Sequence, residues 1–152
     1  MRKQLKIQIL SIVMVVLVAV LGSIFVNLGM KWYDSVVKPT QWIPSFIIPI
    51  VWSIIYLLAI LCIWVQISNS TNTILSTVLF VLNGVLNVLW CLVFFALHLT
   101  LAGEIVIITN LIFGWFLYEK IKGQNLYANL LLIYPLWLSI ATSLNTAIWI
   151  LN

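Results

Sequence analysis

Aromatic and amide side chains recur at the three- and four-residue spacing that places them on single helix faces. Trp52 and Tyr56 form one such pair. Two longer sets follow later in the chain: Asn83, Asn87, Trp90 and Phe94, and then Tyr134, Trp137, Ala141, Leu144 and Asn145. Rings combined with small residues and a few polar groups are the usual lining of a small-molecule site. If these faces converge, they should enclose a mostly apolar cavity.

The three asparagines on these faces have two interpretations. A polar group that faces lipid is costly, so Asn83, Asn87 and Asn145 should point into the protein interior. There they would either contact a ligand or form hydrogen bonds between helices, worth about 0.6–2 kcal/mol each. The spacing leaves both possibilities open.

The residues of this sequence offer little support for conventional catalytic chemistry. The acidic residues form no carboxylate pair, since they are spread over loops and the ends of different helices: Asp34, Glu104 and Glu119. There is no Ser/His/Asp set and no glycine-rich phosphate loop. His98 is the one histidine, and Cys62 and Cys91 lack the spacing of metal ligands, so both cysteines are interpreted as packing residues. We expect no metal site and no required cofactor.

Glu104 also has two interpretations. An acidic residue within a membrane span is by default a functional candidate, such as the proton relay of an exporter. However, Glu104 lies near the start of its predicted helix, where the positive end of the helix dipole favours an acid and the headgroup region is within reach. We prefer this structural explanation.

The elements that must position these groups are membrane-spanning helices. Of the 152 residues, 64% are hydrophobic and 7% are charged, whereas soluble domains contain roughly 45–50% apolar residues. About 20 residues cross the hydrocarbon core. The apolar stretches therefore predict an all-α membrane protein, a single five-helix transmembrane domain over residues 1–152, with helices at about 5–28, 44–67, 74–97, 101–118 and 126–151. The net charge of +4 is too small and too scattered for a nucleic-acid surface.

Prolines and glycines indicate where the helices end, bend or approach one another closely. Lys38-Pro39 predicts the end of a loop, because proline disfavours helix in the residue before it. Pro44 suits the first turn of the second helix, and Pro49, which is deeper, predicts a kink. Three glycines are candidates for close helix contact: Gly22, Gly84 and Gly103.

The distribution of basic residues predicts the orientation of the chain. Five spans place the two ends on opposite sides of the membrane. The side of the N-terminus holds five basic residues, Arg2, Lys3, Lys6, Lys120 and Lys122, and the other side holds Lys31 and Lys38. Because cytoplasmic loops carry the excess of lysine and arginine, we expect a multi-pass protein of the cell membrane with a cytoplasmic N-terminus and an external C-terminus.

Three sequence blocks and one spacing resemble the translocator protein family, the TspO/peripheral-type benzodiazepine receptor group. The blocks are WYDSVVKP at Trp32–Pro39, LNVLW followed by FF at Leu86–Phe95, and WLSIATSLN at Trp137–Asn145. Trp52 follows Pro39 by a step of thirteen positions. The resemblance covers nearly the whole chain, and the short tails indicate a prokaryotic member.

The resemblance implies a homodimeric five-helix bundle whose cavity opens toward the first loop. Its expected ligands are apolar and planar, namely protoporphyrin IX and other tetrapyrroles. The ligand positions that it implies are Tyr33 in the loop, Trp52, Asn87, Trp137, Ala141 and Leu144. Trp90 is added to them from its place on the helix face of Asn87. Trp52 and Trp137 would also be the pair that supports light- and oxygen-dependent porphyrin breakdown.

The first loop departs from the family pattern. The family has KPxWxPP, and this chain has KPTQWIPS. Gln41 stands where a tryptophan is expected, Trp42 is displaced by one position, and Ile43 replaces a proline. We expect this change to alter the geometry of the loop over the cavity and the affinity for ligands.

The predicted function is the binding of porphyrins and similar planar ligands within the bundle, as a sensor, carrier or scavenger. Two alternatives stay open. One is a proton-coupled small-molecule exporter that uses Glu104, and the other is a porphyrin-degrading enzyme. The predicted partners are the ligand, the lipid bilayer and a second copy of the chain.

Overall fold

A computed structural model describes residues 2–39, 44 and 46–152. Within these residues, five helices are long and apolar enough to cross a membrane. They are α1 at Arg2–Ser35, α2 at Ile47–Ser68, α3 at Ile74–Ala96, α4 at Thr100–Ile121 and α5 at Leu126–Leu151. The predicted all-α class with five spans is confirmed, and the chain is a multi-pass membrane protein.

The first helix is longer than predicted. α1 contains 34 residues and ends at Ser35, whereas the prediction ended it at Leu28. Tyr33 therefore lies in the last turn of a helix and not in a loop. The segment from Lys31 to Ser35 has no proline or glycine to end the helix, and long charged side chains at the end of a span can reach water without unwinding it. Lys38 lies 3.7 Å from the carboxylate of Asp34.

Pro49 occupies a different place in α2 from the one predicted. The helix begins at Ile47, so Pro49 belongs to its first turn and Pro44 lies outside it. The first four N–H groups of a helix have no intrahelical acceptor, so a proline there removes no hydrogen bond. The reason for expecting a kink at Pro49 is thereby removed.

The last part of α3 is wound as a π-helix over Cys91–Ala96, where regular α-helix was predicted. The N–H of Leu97 accordingly donates to the carbonyl oxygen of Leu92, five residues back, at 2.9 Å. π-turns of this kind are rare and occur frequently at functional sites. This one changes the direction of the side chains that follow Trp90.

The fifth span consists of two helical pieces, Leu126–Leu130 and Ile133–Leu151. Pro135 explains the break, because it has no N–H to donate to the carbonyl four residues back, at Leu131. The N–H of Tyr134 donates to that carbonyl instead, at 3.0 Å. The prediction of one continuous helix missed this interruption.

Helix packing leaves room on one side of the bundle. α1 packs on α2 and α3, and α4 packs between α3 and α5. α2 meets α5 mainly through Leu126–Leu130 and has few contacts with the rest of that helix. The amide of Gln66 also binds Gln124 at this end, at 2.7 Å. Toward the C-terminal end of α1, the space between α2 and α5 is therefore less tightly filled.

The three predicted asparagines point into the bundle, as expected. Asn83, Asn87 and Asn145 are all at most 4% exposed. The hydroxyl of Tyr134 lies 3.2 Å from the side-chain oxygens of both Asn83 and Asn110. These contacts join α3, α4 and α5 at one level of the membrane.

The glycines make close contacts within the chain. Gly22 faces Cys91, Gly84 faces Val18, and Gly103 faces Phe94. The closest approach occurs at Gly29, where an added Cβ would overlap the backbone carbonyl of Phe95. α1 therefore lies directly against the π-turn of α3.

Replacing Gly29 with alanine should destabilise the protein by about 1–3 kcal/mol, the usual cost of overpacking. The obstructing atoms belong to the backbone and cannot rotate away. The measurement is the free energy of unfolding in mixed micelles titrated with SDS. Gly84→Ala is the matched control, since its new Cβ meets only the end of the Val18 side chain, at 3.1 Å. Equal stability of the two variants would contradict the assignment.

Candidate functional site

A cavity lies between the C-terminal end of α1 and helices α2, α3 and α5. It is lined by Tyr33, Ile48, Trp52, Trp90, Phe94, Phe95, Trp137, Ala141, Leu144, Asn145 and Ile148. Six of the seven predicted ligand residues are in this set. The helix faces that were read from spacing therefore converge, and they do so on an apolar space with few polar atoms.

Asn87 is the predicted residue that does not line the cavity. Its side chain is 3% exposed, and its Oδ1 accepts a hydrogen bond from the thiol of Cys91 at 3.8 Å. It lies in the packed interior next to the wall. Its role as a ligand residue stays a prediction.

The wall on α3 is a cluster of three rings. Trp90 stacks on Phe94 with ring centroids 5.9 Å apart, and it forms a T-shaped pair with Phe95 with centroids 5.5 Å apart. Tyr33 of α1 lies 5.3 Å from Phe95. In a regular helix the fifth residue after Trp90 would point about 140° away from it, so the π-turn accounts for the place of Phe95 beside Trp90.

Sequence reasoning missed several of the lining residues. Phe95 had no signal, because the prediction assumed regular α-helical spacing. Helical spacing did offer a signal for Ile48 and Ile148. Ile48 lies four residues before Trp52, and Ile148 lies four residues after Leu144. Extending each face by one turn would have found both.

The two buried indole N–H groups at the cavity differ in their bonding. Trp90 donates to the side-chain oxygen of Asn145 at 3.1 Å. The N–H of Trp137 is buried and has no acceptor in the described part of the chain. A buried donor without a partner is costly. An acceptor atom of a ligand would remove that cost.

The sequence profile of the TspO/MBR family matches residues 11–150 of this chain. The chain belongs to the TspO/MBR family. It is 30% identical to the tryptophan-rich protein TspO of Archaeoglobus fulgidus, with 93% of this chain and 94% of the relative aligned. It is also 30% identical to the TspO of Chlorobaculum tepidum, over 100% and 99% of the two chains. Protein CrtK of Rhodobacter capsulatus is 26% identical over 80% and 78%.

These relatives come from bacteria and an archaeon, in agreement with the expected prokaryotic member of the TspO/MBR family. The residues that depart from the family pattern, Gln41, Trp42 and Ile43, lie outside the described part of the chain. Their predicted effect on the loop over the cavity stays a prediction.

Glu104 of this TspO/MBR protein lies near the start of α4, as predicted, and its side chain is inside the bundle. Its side chain is 5% exposed. One carboxylate oxygen accepts from the side-chain amide of Asn145 at 2.8 Å, and the other accepts from the hydroxyl of Thr146 at 2.6 Å. The carboxylate therefore faces α5, and its distance from the headgroup region stays a prediction.

The cavity is small for a tetrapyrrole site. Its volume is about 60 Å³, whereas small-molecule sites usually measure about 300–1,000 Å³. Tyr56 stacks on Trp52 with centroids 5.7 Å apart, but it lines a separate groove of about 340 Å³ between α1 and α2. A macrocycle therefore fits between α2, α3 and α5 only after the walls move apart.

The segment after α1 is fastened to the end of α5. The side-chain oxygen of Asn152 accepts from the N–H of Val37 at 2.9 Å, and its amide donates to the carbonyl of Val37 at 3.0 Å. Val37 lies one turn beyond Tyr33, and Asn152 lies one turn beyond Ile148. This pair of residues therefore holds the segment after α1 against the end of α5, beside the cavity.

Asn152→Ala should increase hydrogen exchange at the amide of Val37 by about tenfold, because one lost hydrogen bond of about 1.4 kcal/mol corresponds to that factor. Hydrogen–deuterium exchange with mass spectrometry in nanodiscs measures it. Asn72→Ala is the control, since Asn72 is exposed near the start of α3, at the opposite side of the bundle. Unchanged exchange in residues 36–39 of the Asn152 variant would show that the pair does not fasten this segment.

Proposed function

We propose that this TspO/MBR protein binds tetrapyrroles such as protoporphyrin IX, and similar apolar planar ligands, in the cavity between α2, α3 and α5. It would act as a sensor, carrier or scavenger of them. One observation carries the proposal: Trp52, Trp90 and Trp137 come from three different helices and line the same apolar space. Flat aromatic faces on several sides of one space suit a flat ring system.

The polar groups at the cavity support a ligand with acceptor atoms on its rim. The unpartnered N–H of Trp137 would donate to a carbonyl or carboxylate oxygen. Lys38 lies near the outer end of the site, where it pairs with Asp34 and sits 4.5 Å from the centre of the Tyr33 ring. We propose that Lys31 and Lys38 meet the propionates of a porphyrin, with Lys38 exchanging Asp34 for the ligand.

A titration of purified protein with protoporphyrin IX tests the proposal. Binding is followed by the shift of the porphyrin absorbance, so that loss of a tryptophan does not change the signal directly. Trp52→Ala combined with Trp137→Ala should weaken binding by at least about thirtyfold, since alanine replaces two rings whose stacking contributes roughly 1–3 kcal/mol each by analogy with base–aromatic stacks.

Trp115→Ala combined with Trp149→Ala is the matched control. It also removes two tryptophans, but these are 37% and 39% exposed and lie outside the cavity lining. Binding by this control should equal that of the unaltered protein. If the two double variants bind protoporphyrin IX equally well, the cavity is not its site.

We further propose the orientation with a cytoplasmic N-terminus. The structure places Lys122 and Asp34 at opposite ends of the bundle, after α4 and at the end of α1. In a background with Cys62 and Cys91 changed to alanine, Asp34→Cys should react with a membrane-impermeant maleimide on intact cells. Lys122→Cys should react only after permeabilisation. The reverse pattern would refute this orientation.

The functional unit is proposed to be a homodimer. The exposed face of α1 supports this, since it carries the polar side chains of Ser23 and Asn27 along the groove shared with α2. Polar groups on a lipid-facing helix surface favour association with another helix. Native mass spectrometry from detergent should give twice the chain mass of 17.3 kDa, and a species of single mass at all concentrations would contradict the dimer.

A further inference from the structure

Glu104 is a buried acid without a basic partner in the described part of the chain, whose ion pairs are Lys38–Asp34 and Lys122–Glu119. An acidic group within a membrane span is expensive and usually has a function. Here both oxygens are used, by Asn145 and by Thr146. The contacts point from α4 toward the cavity wall, because Asn145 is itself a lining residue.

The chain of hydrogen bonds fixes the orientation of Asn145. An indole N–H can only donate, so Asn145 must present its oxygen to Trp90, at 3.1 Å. The amide nitrogen of Asn145 then points to Glu104, at 2.8 Å. A carboxylate oxygen is the acceptor that this nitrogen needs. Without Glu104, the nitrogen keeps only a long contact of 3.5 Å to the carbonyl of Thr100.

This orientation does not depend on the protonation of Glu104. The hydroxyl of Thr146 lies 2.6 Å from one oxygen of Glu104 and also 2.9 Å from the carbonyl of Thr142. When Glu104 carries a proton, it can donate to Thr146, and Thr146 can donate to Thr142. The other oxygen of Glu104 still accepts from Asn145. The hydrogen-bond pattern, and not the charge, is therefore what holds Asn145.

We propose that Glu104 is a positioning residue of the ligand site, which acts through Asn145 to hold the ring of Trp90 against the cavity. The proposal rests on the tetrapyrrole-binding function proposed above. Trp90 in turn stacks on Phe94 and forms a T-shaped pair with Phe95, so its orientation determines how the three rings of α3 line the cavity. Because its N–H is bound internally, Trp90 offers the ligand a ring face, whereas Trp137 offers a free N–H.

The test compares two substitutions of the same residue. Glu104→Gln keeps the pattern, since its oxygen accepts from Asn145 and its amide donates to Thr146. Glu104→Ala removes both contacts. If Glu104 acted as a proton relay, Glu104→Gln would be as defective as Glu104→Ala, because glutamine cannot carry the proton. Glu119→Ala is the control for loss of an acid, since Glu119 is exposed and pairs with Lys122.

Two measurements are made on protein labelled with ¹⁵N-tryptophan. The first is the indole N–H resonance of Trp90, assigned with Trp90→Phe. The second is the affinity for protoporphyrin IX from its absorbance. Glu104→Ala should shift the Trp90 resonance, leave those of Trp115 and Trp149 in place, and weaken binding about tenfold, the factor for one hydrogen bond of about 1.4 kcal/mol. Glu104→Gln and Glu119→Ala should stay within about twofold of the unaltered protein.

Each outcome decides the proposal. An unchanged Trp90 resonance in Glu104→Ala overturns it, and so does equal loss of binding in Glu104→Gln and Glu104→Ala. If the alanine variant does not fold, Glu104→Met replaces it, because methionine fills a similar volume without the hydrogen bonds. If the unaltered protein binds no porphyrin, the proposed function fails, and the Trp90 resonance alone then decides whether Glu104 positions that ring.

Discussion

Each polar group within the hydrocarbon must find its partner inside the bundle, and this constraint determines how the helices of this protein face one another. Tyr134 and Asn83 meet at one level, and Glu104 and Asn145 meet at another. Each pair joins two helices, and its hydrogen bond forms only when each helix is rotated about its own axis so that the two side chains face each other. Lipid tails are as apolar as the side chains, so hydrophobicity alone does not bring helices together, and these hydrogen bonds help to set which rings face the cavity.

Two of the helices that supply lining residues contain irregular backbone. The π-turn at Cys91–Ala96 and the break before Ile133 both border helices that supply lining residues. Such departures are tolerated at membrane depth only when the freed backbone groups are buried or satisfied within the protein. The contact of Gly29 with the carbonyl of Phe95 covers the π-turn with α1. The close helix contact and the irregular turn are therefore parts of one arrangement.

The features that depend on helical periodicity and on composition were predictable from the sequence. Hydropathy predicted five spans, and helical spacing predicted that Trp52, Trp90 and Trp137 share a site. Phe95 was not predictable, because the extra residue of a π-turn has no signal in spacing. The position of Tyr33 was misjudged because charged residues at a membrane surface resemble a loop in composition. The partners of Glu104 lie 41 and 42 residues away, a distance that no local pattern can bridge.

A ligand larger than the cavity requires one wall to move, and the walls differ in how they are held. The side formed by α3, α4 and α5 is joined by the hydrogen bonds of Glu104, Asn145 and Tyr134. The side formed by α2 meets α5 mainly at Leu126–Leu130, far from the cavity mouth. Separating α2 from α5 near Trp52 breaks few contacts, whereas moving α5 from α4 exposes a buried carboxylate. Widening therefore costs least on the α2 side, and the polar side stays as the fixed template for the ligand.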